Sequence, residues 1–326
     1  NKQGLTEEEF LLTYDASKFD RPSVTVDILV FTVAGDGKQN GKANNKKELK
    51  LLMIKRGDHP YIGQWALPGG FVNMDENLDD AALRELKEET GVNNIYLEQL
   101  YTWGDVGRDP RTRIITVSYL SLADIPISCV EAGDDADDAR WMTVSFEKCN
   151  AKKTFHCNAH VYETLYRLTL SSDKENLNEK ESSSEKENIS AVLKKVKTIE
   201  GKISRIKWEI TESNQIASDH AKIIAYGIEK LRERILHTDI ASNLMSELFT
   251  LAELKQTYEV ILGMKLAEDE FKKKIAGMVV ETGECMKDDR NEYGNEHRNE
   301  HGNKYENEHG NKHIRLFRFN HEFNII

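Results

Sequence analysis

Residues 70–92 read GFVNMDENLDDAALRELKEETGV, and the fold predicted for the chain depends on them. Glu85, Glu88 and Glu89 are spaced i, i+3 and i+4, so their carboxylates share one face if the middle of the stretch is a helix. Three like charges on one face repel each other by roughly a few tenths of a kcal/mol per pair. A hard divalent cation offsets this repulsion, because Mg²⁺ and Mn²⁺ prefer oxygen ligands. The spacing therefore indicates a site for Mg²⁺ or Mn²⁺.

Two residues mark the ends of this predicted helix. Asn77 can cap the first turn, and Gly91 can end the last turn in the left-handed conformation that glycine adopts readily. Arg84 can pair with Glu88 one turn later, or with a carboxylate outside the helix. The alternative is a solvated acidic helix without a ligand, since charge runs usually mark an exposed surface. The glycines on both sides and the complete spacing favour the metal site.

The same stretch resembles the Nudix box, the signature of a superfamily of hydrolases. Every defining position of that pattern is filled, by Gly70, Glu76, Arg84, Glu85, Leu86, Glu88, Glu89, Gly91 and Val92. The resemblance implies an α+β fold, a Nudix α/β/α sandwich with a mixed sheet. It also implies hydrolysis of a nucleoside diphosphate linked to another group, with ADP-ribose as the expected substrate. Glu85, Glu88 and Arg84 are the candidate catalytic residues. Glu85, Glu88 and Glu89 are the candidate metal ligands.

Five residues outside the helix are candidate substrate-binding residues: Arg56, Gly69, Gly70, Arg108 and Arg111. The two glycines let a phosphate approach the backbone closely. Arg108 and Arg111 lie in the segment GRDPRTR, and arginine binds phosphates through two parallel hydrogen bonds. Similar segments occur in Nudix proteins that act on ADP-ribose or related nucleoside diphosphate sugars. The alternative is that these arginines pair with nearby acids such as Asp105 or Asp109.

Length and composition bound the remaining possibilities. A chain of 326 residues favours two domains, and a hydrophobic fraction of 39% is enough for ordinary cores. The formal net charge of −11 does not favour nucleic acid as a partner on charge alone. No apolar run reaches the roughly 18 residues of a membrane span, and the polar N-terminus does not resemble a signal peptide. Four scattered cysteines are typical of a reducing compartment, so we expect a cytoplasmic location without membrane partners.

The first part of the chain, residues 1–217, is predicted to form the Nudix domain and a β extension. Apolar and β-branched runs predict strands at 23–33, 49–55, 95–104, 114–122 and 139–144. Partial alternation predicts three further strands, at 160–170, 189–199 and 203–211, packed on the Nudix domain or used in dimerisation. Residues 171–188 contain almost no apolar side chains, so we expect a disordered loop there.

Residues 218–326 are predicted to form a winged helix-turn-helix domain. Periodicity predicts helices at 220–237, 250–262 and 268–278, followed by short strands at 279–282 and 314–319. With the sequences DHAKIIAYGIEKLR, FTLAELKQTYEVILG and EFKKKIAG, this order resembles the C-terminal domain of Nudix-related transcriptional regulators of NAD or sugar metabolism. Residues 286–313, between the two strands, are predicted to be a low-complexity insertion with a polar tetrapeptide repeat.

DNA binding by this second domain depends on its third predicted helix, the one that would enter the major groove. Lys272, Lys273 and Lys274 cluster on it and are the candidate DNA-binding residues. Residues 218–290 carry 11 Lys and Arg against 14 Asp and Glu, and the resulting net charge of −3 is unfavourable for binding phosphates. The basic Gly-Pro wing of such regulators is also missing, which argues against contact between the wing and the minor groove.

Two functions of different classes remain open. The first is a Mg²⁺-dependent Nudix hydrolase of ADP-ribose or a related compound that also carries a DNA-binding tail. The second is a transcriptional regulator in which the Nudix domain senses an ADP-ribose-like or sugar ligand and the tail binds operator DNA as a homodimer. The box is often eroded in such regulators, whereas here it is intact. We therefore expect hydrolysis to be retained, and the two functions are compatible.

Overall fold

The architecture comes from a computed structural model, which describes residues 4–35, 38–39, 42–43, 46–93, 95–124, 130, 136–156, 159–173, 186–287, 304–306 and 312–320. Within these ranges the helices are α1 (Glu7–Thr13), α2 (Leu78–Thr90), α3 (His220–Arg234), α4 (Leu251–Leu262) and α5 (Glu268–Ile275). The strands are β1 (Ser23–Gly35), β2 (Lys38–Gln39), β3 (Lys42–Ala43), β4 (Lys47–Arg56), β5 (Trp65–Ala66), β6 (Tyr96–Trp103), β7 (Ile114–Leu122), β8 (Ala136–His156), β9 (Ala159–Asp173), β10 (Lys186–Glu200), β11 (Ile203–Asn214), β12 (Val279–Lys287), β13 (Lys304–Glu306) and β14 (Lys312–Phe319).

A large sheet organises the described part of the chain. Its nine strands have the order β11-β10-β9-β8-β4-β1-β7-β6, with β5 paired to β4. Strands β1 and β7 are parallel, and the other neighbours are antiparallel, so the sheet is mixed as predicted. Strand β1 is buried continuously from Val26 to Val33, because it lies inside the sheet with both faces covered.

Helices cover both faces of this sheet, which confirms the predicted α/β/α sandwich. On one face, Ala81 and Leu86 of α2 belong to the same buried cluster as Ile28 of β1. On the other face, Ile224 of α3 belongs to a cluster with Leu29 of β1. Adjacent strand residues point to opposite faces, so Ile28 and Leu29 hold the two helices on opposite sides of the same strand.

The three predicted extension strands continue the Nudix sheet beyond β8. Strand β8 itself has 21 residues, far more than the predicted 139–144. Side chains at 147–153 are all exposed, so this half of the strand lacks the apolar alternation that marks a half-buried strand. The predicted disordered loop at 171–188 falls mostly outside the described residues. Its two ends differ from the prediction, because residues 171–173 finish β9 and residues 186–188 begin β10.

Helices α4 and α5 with strands β12 and β14 form the winged-helix fold predicted for the C-terminal part. Thr250 and Glu253 form the expected capping box at the start of α4. Helix α5 ends at Ile275, three residues before the predicted position. Strands β12 and β14 pair antiparallel, and Phe249 forms an isolated bridge with Phe317 of β14. The predicted insertion at 286–313 lies mostly outside the described residues, although residues 304–306 form β13.

Helix α3 connects the two halves of the molecule. One continuous buried cluster contains residues of the sheet, of α3, and of α4 and α5. Near the end of α3, Arg232 Nε donates a hydrogen bond to the Ile261 carbonyl oxygen of α4 at 2.9 Å. The predicted domain boundary between residues 217 and 218 stays a prediction, because α3, which follows it, packs against both the large sheet and the winged helix. None of the described helices has the length and apolar character that crossing a membrane requires.

Candidate ligand and metal site

Helix α2 presents the predicted glutamates. Gly91 ends the helix with φ 71°, in the left-handed conformation that the sequence predicts. Asn77 occupies the N-cap position, but its side chain does not cap the helix and instead donates to Asp80 Oδ2 at 3.1 Å. Ala81, Ala82, Leu86 and Thr90 are buried against the sheet. Because burial of that face fixes the rotation of the helix, Glu85 and Glu89 lie beside the Gly69–Gly70 loop.

Arg84 is the centre of the charged cluster on α2. Its Nε and Nη2 atoms donate to the two carboxylate oxygens of Glu76, at 2.9 and 2.7 Å. Its Nη1 atom donates to Glu85 at 2.8 Å and to Glu88 at 3.0 Å. The guanidinium lowers the pKa of Glu76 to about 2. Arg84 therefore pairs both within the helix and outside it, and it orients two of the three candidate metal ligands.

Glu85 and Glu89 are partly buried, and both carboxyl groups have raised pKa values. Glu89 Oε2 accepts a hydrogen bond from the Gly69 amide at 2.6 Å. Burial raises the pKa of Glu89 to about 8 despite this bond, and the charges of Glu85 and Asp27 raise it further. Burial is also the main cause that raises the pKa of Glu85. A cation beside these two groups would favour their ionised forms.

These residues fit a hard divalent cation by their chemistry. Carboxylate oxygens are the ligands that Mg²⁺ and Mn²⁺ prefer, and two of the three candidates, Glu85 and Glu89, are partly buried and line a cavity. Glu88 differs, because its side chain is 61% exposed and lies outside the cavity lining. Across the described ranges, no three His, Cys, Asp or Glu residues are already arranged around a common point. Arg84 holds Glu85 and Glu88, while the Gly69 amide holds Glu89.

A cavity of about 660 Å³ opens beside α2 and has mostly polar walls. All five predicted substrate-binding residues line it: Arg56, Gly69, Gly70, Arg108 and Arg111. Gly69 has φ 150°, and a Cβ atom there would lie 2.0 Å from the Val26 carbonyl oxygen. A Cβ atom on Gly70 would lie 2.4 Å from a carboxylate oxygen of Glu85. The loop therefore needs glycine at position 69 to pass β1, whereas a side chain at position 70 would displace the Glu85 carboxylate.

The three arginines predicted to bind substrate differ in their partners. Arg56 Nε donates to the Pro60 carbonyl oxygen at 2.7 Å. Arg111 pairs with Asp109, as the alternative in the sequence analysis anticipates, and it also stacks over the Phe71 ring. The Arg108 side chain does not pair with the carboxylate of Asp105 or Asp109. Its guanidinium makes two hydrogen bonds with the buried Asp219, at 3.2 and 2.8 Å.

Residues at the start of α3, which the sequence analysis does not assign to the site, form part of the cavity wall. Ser218 and His220 line the cavity, and the Leu67 amide donates to His220 Nδ1 at 2.9 Å. The segment before them pairs with β5, because the Trp65 amide donates to Gln215 O and Trp65 O accepts from the Ala217 amide, both at 2.9 Å. No short sequence motif marks this contact.

Asp27 also lines the cavity and was missed by the sequence analysis. It is a single acid inside the otherwise apolar strand β1, and it is only 7% exposed. Burying a charged group is unfavourable unless it is paired, so an acid within a buried strand usually has a specific role. The sequence did offer a signal for this residue, because Asp27 is the one charged residue within the predicted buried strand SVTVDILVFTV.

The three candidate DNA-binding lysines lie on α5 with different surroundings. Lys272 is exposed and lies 3.8 Å from Glu268 one turn earlier. Lys273 is exposed. Lys274 is half-buried and donates to the Leu236 carbonyl oxygen after α3. Two of the three side chains therefore face solvent, and the third helps to attach α5 to the rest of the molecule.

The fold and the site define the class of protein, a Nudix sandwich with a cavity beside its box helix, followed by a winged helix. Residues 42–165 match the family model described as NUDIX domain. Residues 241–292 match the model described as NrtR DNA-binding winged helix domain. The chain therefore contains a Nudix domain and an NrtR-type winged-helix domain, which confirms both resemblances drawn from the sequence.

Several known proteins are similar to this chain. The "ADPR responsive transcriptional repressor NtrR" of Acinetobacter baylyi is 27% identical over 281 residues, covering 85% of this chain and 82% of the repressor. An ADP-ribose pyrophosphatase of Methanocaldococcus jannaschii is 37% identical over 100 residues, covering 31% of this chain and 58% of that enzyme. A solved structure of a MutT/nudix family protein from Enterococcus faecalis is 27% identical, with a TM-score of 0.59 and coverage of 87% of this chain and 92% of that chain.

Proposed function

We propose that this chain is a ligand-responsive, DNA-binding regulator whose Nudix cavity binds ADP-ribose or a closely related nucleoside diphosphate derivative. The observation that carries the proposal is the cavity, whose wall includes the first turn of α3. The same helix packs against α4 of the winged helix through Arg232. A ligand in the cavity therefore touches the element that supports the DNA-binding domain. The protein acts as a homodimer in this proposal.

The walls of the cavity suit a diphosphate. Arg56 and Arg111 bring positive charge to it, and the Gly69–Gly70 backbone allows a phosphate to approach closely. The names of the two curated relatives, a repressor responsive to ADPR and an ADP-ribose pyrophosphatase, point to the same ligand class. ADP-ribose is therefore the first ligand to test.

DNA binding is tested with the DNA upstream of the gene for this chain. We expect salt-sensitive binding, weakened when Lys272, Lys273 and Lys274 are changed to Ala, because each lost phosphate contact lowers the slope of affinity against salt by about one. Lys265→Ala is a matched control, since Lys265 is exposed in the same domain and pairs with Glu259. Binding that is absent, or that is unchanged by the triple substitution, would count against α5 as the reading helix.

A second function, hydrolysis of the bound ligand, is supported by the intact glutamate set of α2. Glu85, Glu88 and Glu89 would hold Mg²⁺ or Mn²⁺. The ion, when bound, supplies polarisation of a phosphate oxygen and a more acidic water. Arg84 holds Glu85 and Glu88 in place, and Arg111 is positioned to bind the diphosphate.

Hydrolysis is tested by measuring AMP release from ADP-ribose in the presence of Mg²⁺. Glu88→Gln should reduce the rate by about a hundred-fold or more, since charged groups at a metal-assisted site contribute on this scale. Asp80→Asn is the matched control, because Asp80 is an exposed acid on the same helix, and among the described residues its side chain accepts a hydrogen bond from Asn77 alone. If neither ADP-ribose nor other nucleoside diphosphate derivatives are hydrolysed, the chain is a binder only.

A further inference from the structure

One corner of the cavity contains a buried group of four polar side chains from three separate parts of the chain. Asp27 comes from β1, Arg108 from the loop between β6 and β7, and Asp219 and His220 from the start of α3. We call these four residues the Asp27 corner. Their side chains are between 5% and 11% exposed. Asp27, Arg108 and His220 nevertheless line the cavity.

Arg108 is held in a fixed orientation by the segment that begins α3. Its Nε and Nη2 atoms donate to the two carboxylate oxygens of Asp219, and the Ser218 hydroxyl donates to its carbonyl oxygen at 2.8 Å. Only 5% of the Arg108 side chain is exposed. Its remaining terminal nitrogen, Nη1, makes no hydrogen bond with any residue in the described part of the chain. Arg108 therefore keeps unused donors beside the cavity.

Asp27 presents the opposite feature, an unused acceptor. Its Oδ2 atom is buried and has no hydrogen-bond partner among the described residues. The nearest cation, Arg108 Nη2, lies 3.6 Å from it, which gives charge attraction without a hydrogen bond. His220 accepts at Nδ1 from the Leu67 amide, so its neutral ring carries the proton on Nε2, 3.8 Å from Asp27 Oδ1. A buried acceptor without a donor is strongly unfavourable, and a ligand donor would relieve it.

The charges of the corner favour a neutral ligand group. Asp27 and Asp219 are balanced by Arg108 and by Lys222, which lies 3.6 Å from Asp219. A phosphate can only accept hydrogen bonds and would face the Asp27 carboxylate at close range. A hydroxyl accepts and donates at the same time, so it can accept from Arg108 and donate to Asp27. Sugar rings carry such hydroxyls beside the diphosphate in the proposed ligand class.

We infer that the Asp27 corner is a subsite for a sugar hydroxyl of the ligand, in which Asp27 and Arg108 contact the hydroxyl and Asp219 positions Arg108. This inference rests on the proposed binding of a nucleoside diphosphate derivative. It assigns to Asp219 and His220, which lie outside both matched family regions, a part in building the ligand site.

The test compares three ligands by calorimetric titration in EDTA, so that hydrolysis does not interfere. The ligands are ADP-ribose, ADP, which lacks the second ribose, and ADP-ribose without the 2′ and 3′ hydroxyls of the adenosine. We expect the wild-type chain to bind one of the two reduced ligands about ten- to a hundred-fold more weakly than ADP-ribose, because one buried hydrogen-bonding pair is lost. Asp27→Asn should bind ADP-ribose more weakly and should lose that discrimination.

Two further variants separate positioning from general damage. Asp219→Asn should also reduce the discrimination between ligands, because Arg108 is then no longer held. Asp105→Asn should leave it unchanged, since Asp105 is an exposed acid that binds Lys222 across the same junction. Circular dichroism checks that each variant is folded. If Asp27→Asn is unfolded, the ligand discrimination of Asp219→Asn decides whether the inference holds.

Three results overturn the inference. One is equal affinity of the wild-type chain for all three ligands. Another is a folded Asp27→Asn or Asp219→Asn variant that keeps the wild-type discrimination. The last is a wild-type chain that binds none of the three ligands, which would also remove the proposed function, whereas the first two leave it standing.

Discussion

Glu89 connects the box helix to the glycine loop, and its carboxyl group has a raised pKa. Its carboxylate accepts a hydrogen bond from the Gly69 amide, which ties the box helix to the glycine loop. Its burial beside Glu85 and Asp27 favours the neutral form, with a pKa of about 8. In the absence of a cation the side chain is therefore mostly protonated near neutral pH. A metal ion at the proposed site would compete with this proton, so we expect its binding to depend on pH.

The first prediction concerns the stability of the metal-free chain against pH. The pKa of Glu89 in the folded state is about 8, above the ordinary value of 4.5, so the folded state binds the proton more tightly. This contribution is fully present below pH 4.5 and is lost as the pH rises through 8, on the order of a few kcal/mol in all. Urea unfolding from pH 5 to pH 8.5 should show this decline for the wild type and not for Glu89→Gln.

Glu88→Gln is the control for this measurement, because its carboxylate is mostly exposed. The free energy of unfolding of Glu88→Gln should fall with rising pH as steeply as that of the wild type. If Glu89→Gln declines as steeply as the wild type, the buried proton is carried by another group.

The second prediction concerns the glycine loop. Gly69→Ala should lower the free energy of unfolding by about 3 kcal/mol or more, because its Cβ would collide with the Val26 carbonyl oxygen and its φ of 150° is unfavourable for alanine. Gly91→Ala, at φ 71° with open space around the Cβ position, should lower it by about 1 kcal/mol. Equal effects in urea unfolding would show that the close approach to β1 is relaxed in solution.

At the scale of single elements, two helices with the same cap differ in how much of their surface is buried. Helices α1 and α4 begin with the same kind of capping box, formed by Thr6 and Glu9 in α1 and by Thr250 and Glu253 in α4. Helix α1 has no buried residues, whereas α4 buries residues such as Tyr258 in the main core. The same local interaction therefore contributes differently to the stability of the whole chain.

The third prediction follows from this comparison. Thr250→Ala should lower the free energy of unfolding by about 1 kcal/mol, because α4 must fold for the core to form. Thr6→Ala should change it very little, since α1 can unwind without exposing buried surface. Both are measured by thermal or urea unfolding, and a matching loss for Thr6→Ala would indicate that α1 is part of the cooperative unit.

Over the whole molecule, one continuous core joins the wall of the cavity to the winged helix. The start of α3 borders the cavity, and its far end is bonded to α4 by Arg232. The carbonyl oxygen of Leu236, two residues after the helix, accepts a hydrogen bond from Lys274 of α5. Direct contacts therefore connect α3, whose first turn borders the cavity, with α5, the helix proposed to read DNA.

The fourth prediction is that ligand and DNA affinities are reciprocally linked. If ADP-ribose changes the affinity for the upstream DNA by a given factor, the DNA must change the affinity for ADP-ribose by the same factor, expected between about 5 and 150. Fluorescence anisotropy with labelled DNA and titration with ADP-ribose in EDTA measure the two factors. Affinities that are independent of each other would contradict the proposed regulator.

Patterns within short stretches were enough to identify the box helix, its glutamates and the Gly91 stop. Helical geometry puts positions i, i+3 and i+4 on one face whatever surrounds the helix. The same holds for the capping box of α4 and for the buried strands, whose apolar runs reflect burial directly. Strand β8 was underestimated because its outer half is exposed and carries no such pattern.

The partners of the site's side chains depend instead on distant parts of the chain. Arg108 and Asp219 lie 111 positions apart, and no local pattern indicates that they share a buried ion pair. The lone acid in β1 could be seen in the amino-acid order, but its unsatisfied oxygen and its neighbours could not. Spacing along a helix is set by the backbone, whereas the walls of a cavity are set by which surfaces pack together. For this reason the proposed metal site could be predicted from 23 residues, and the Asp27 corner emerged only from the folded chain.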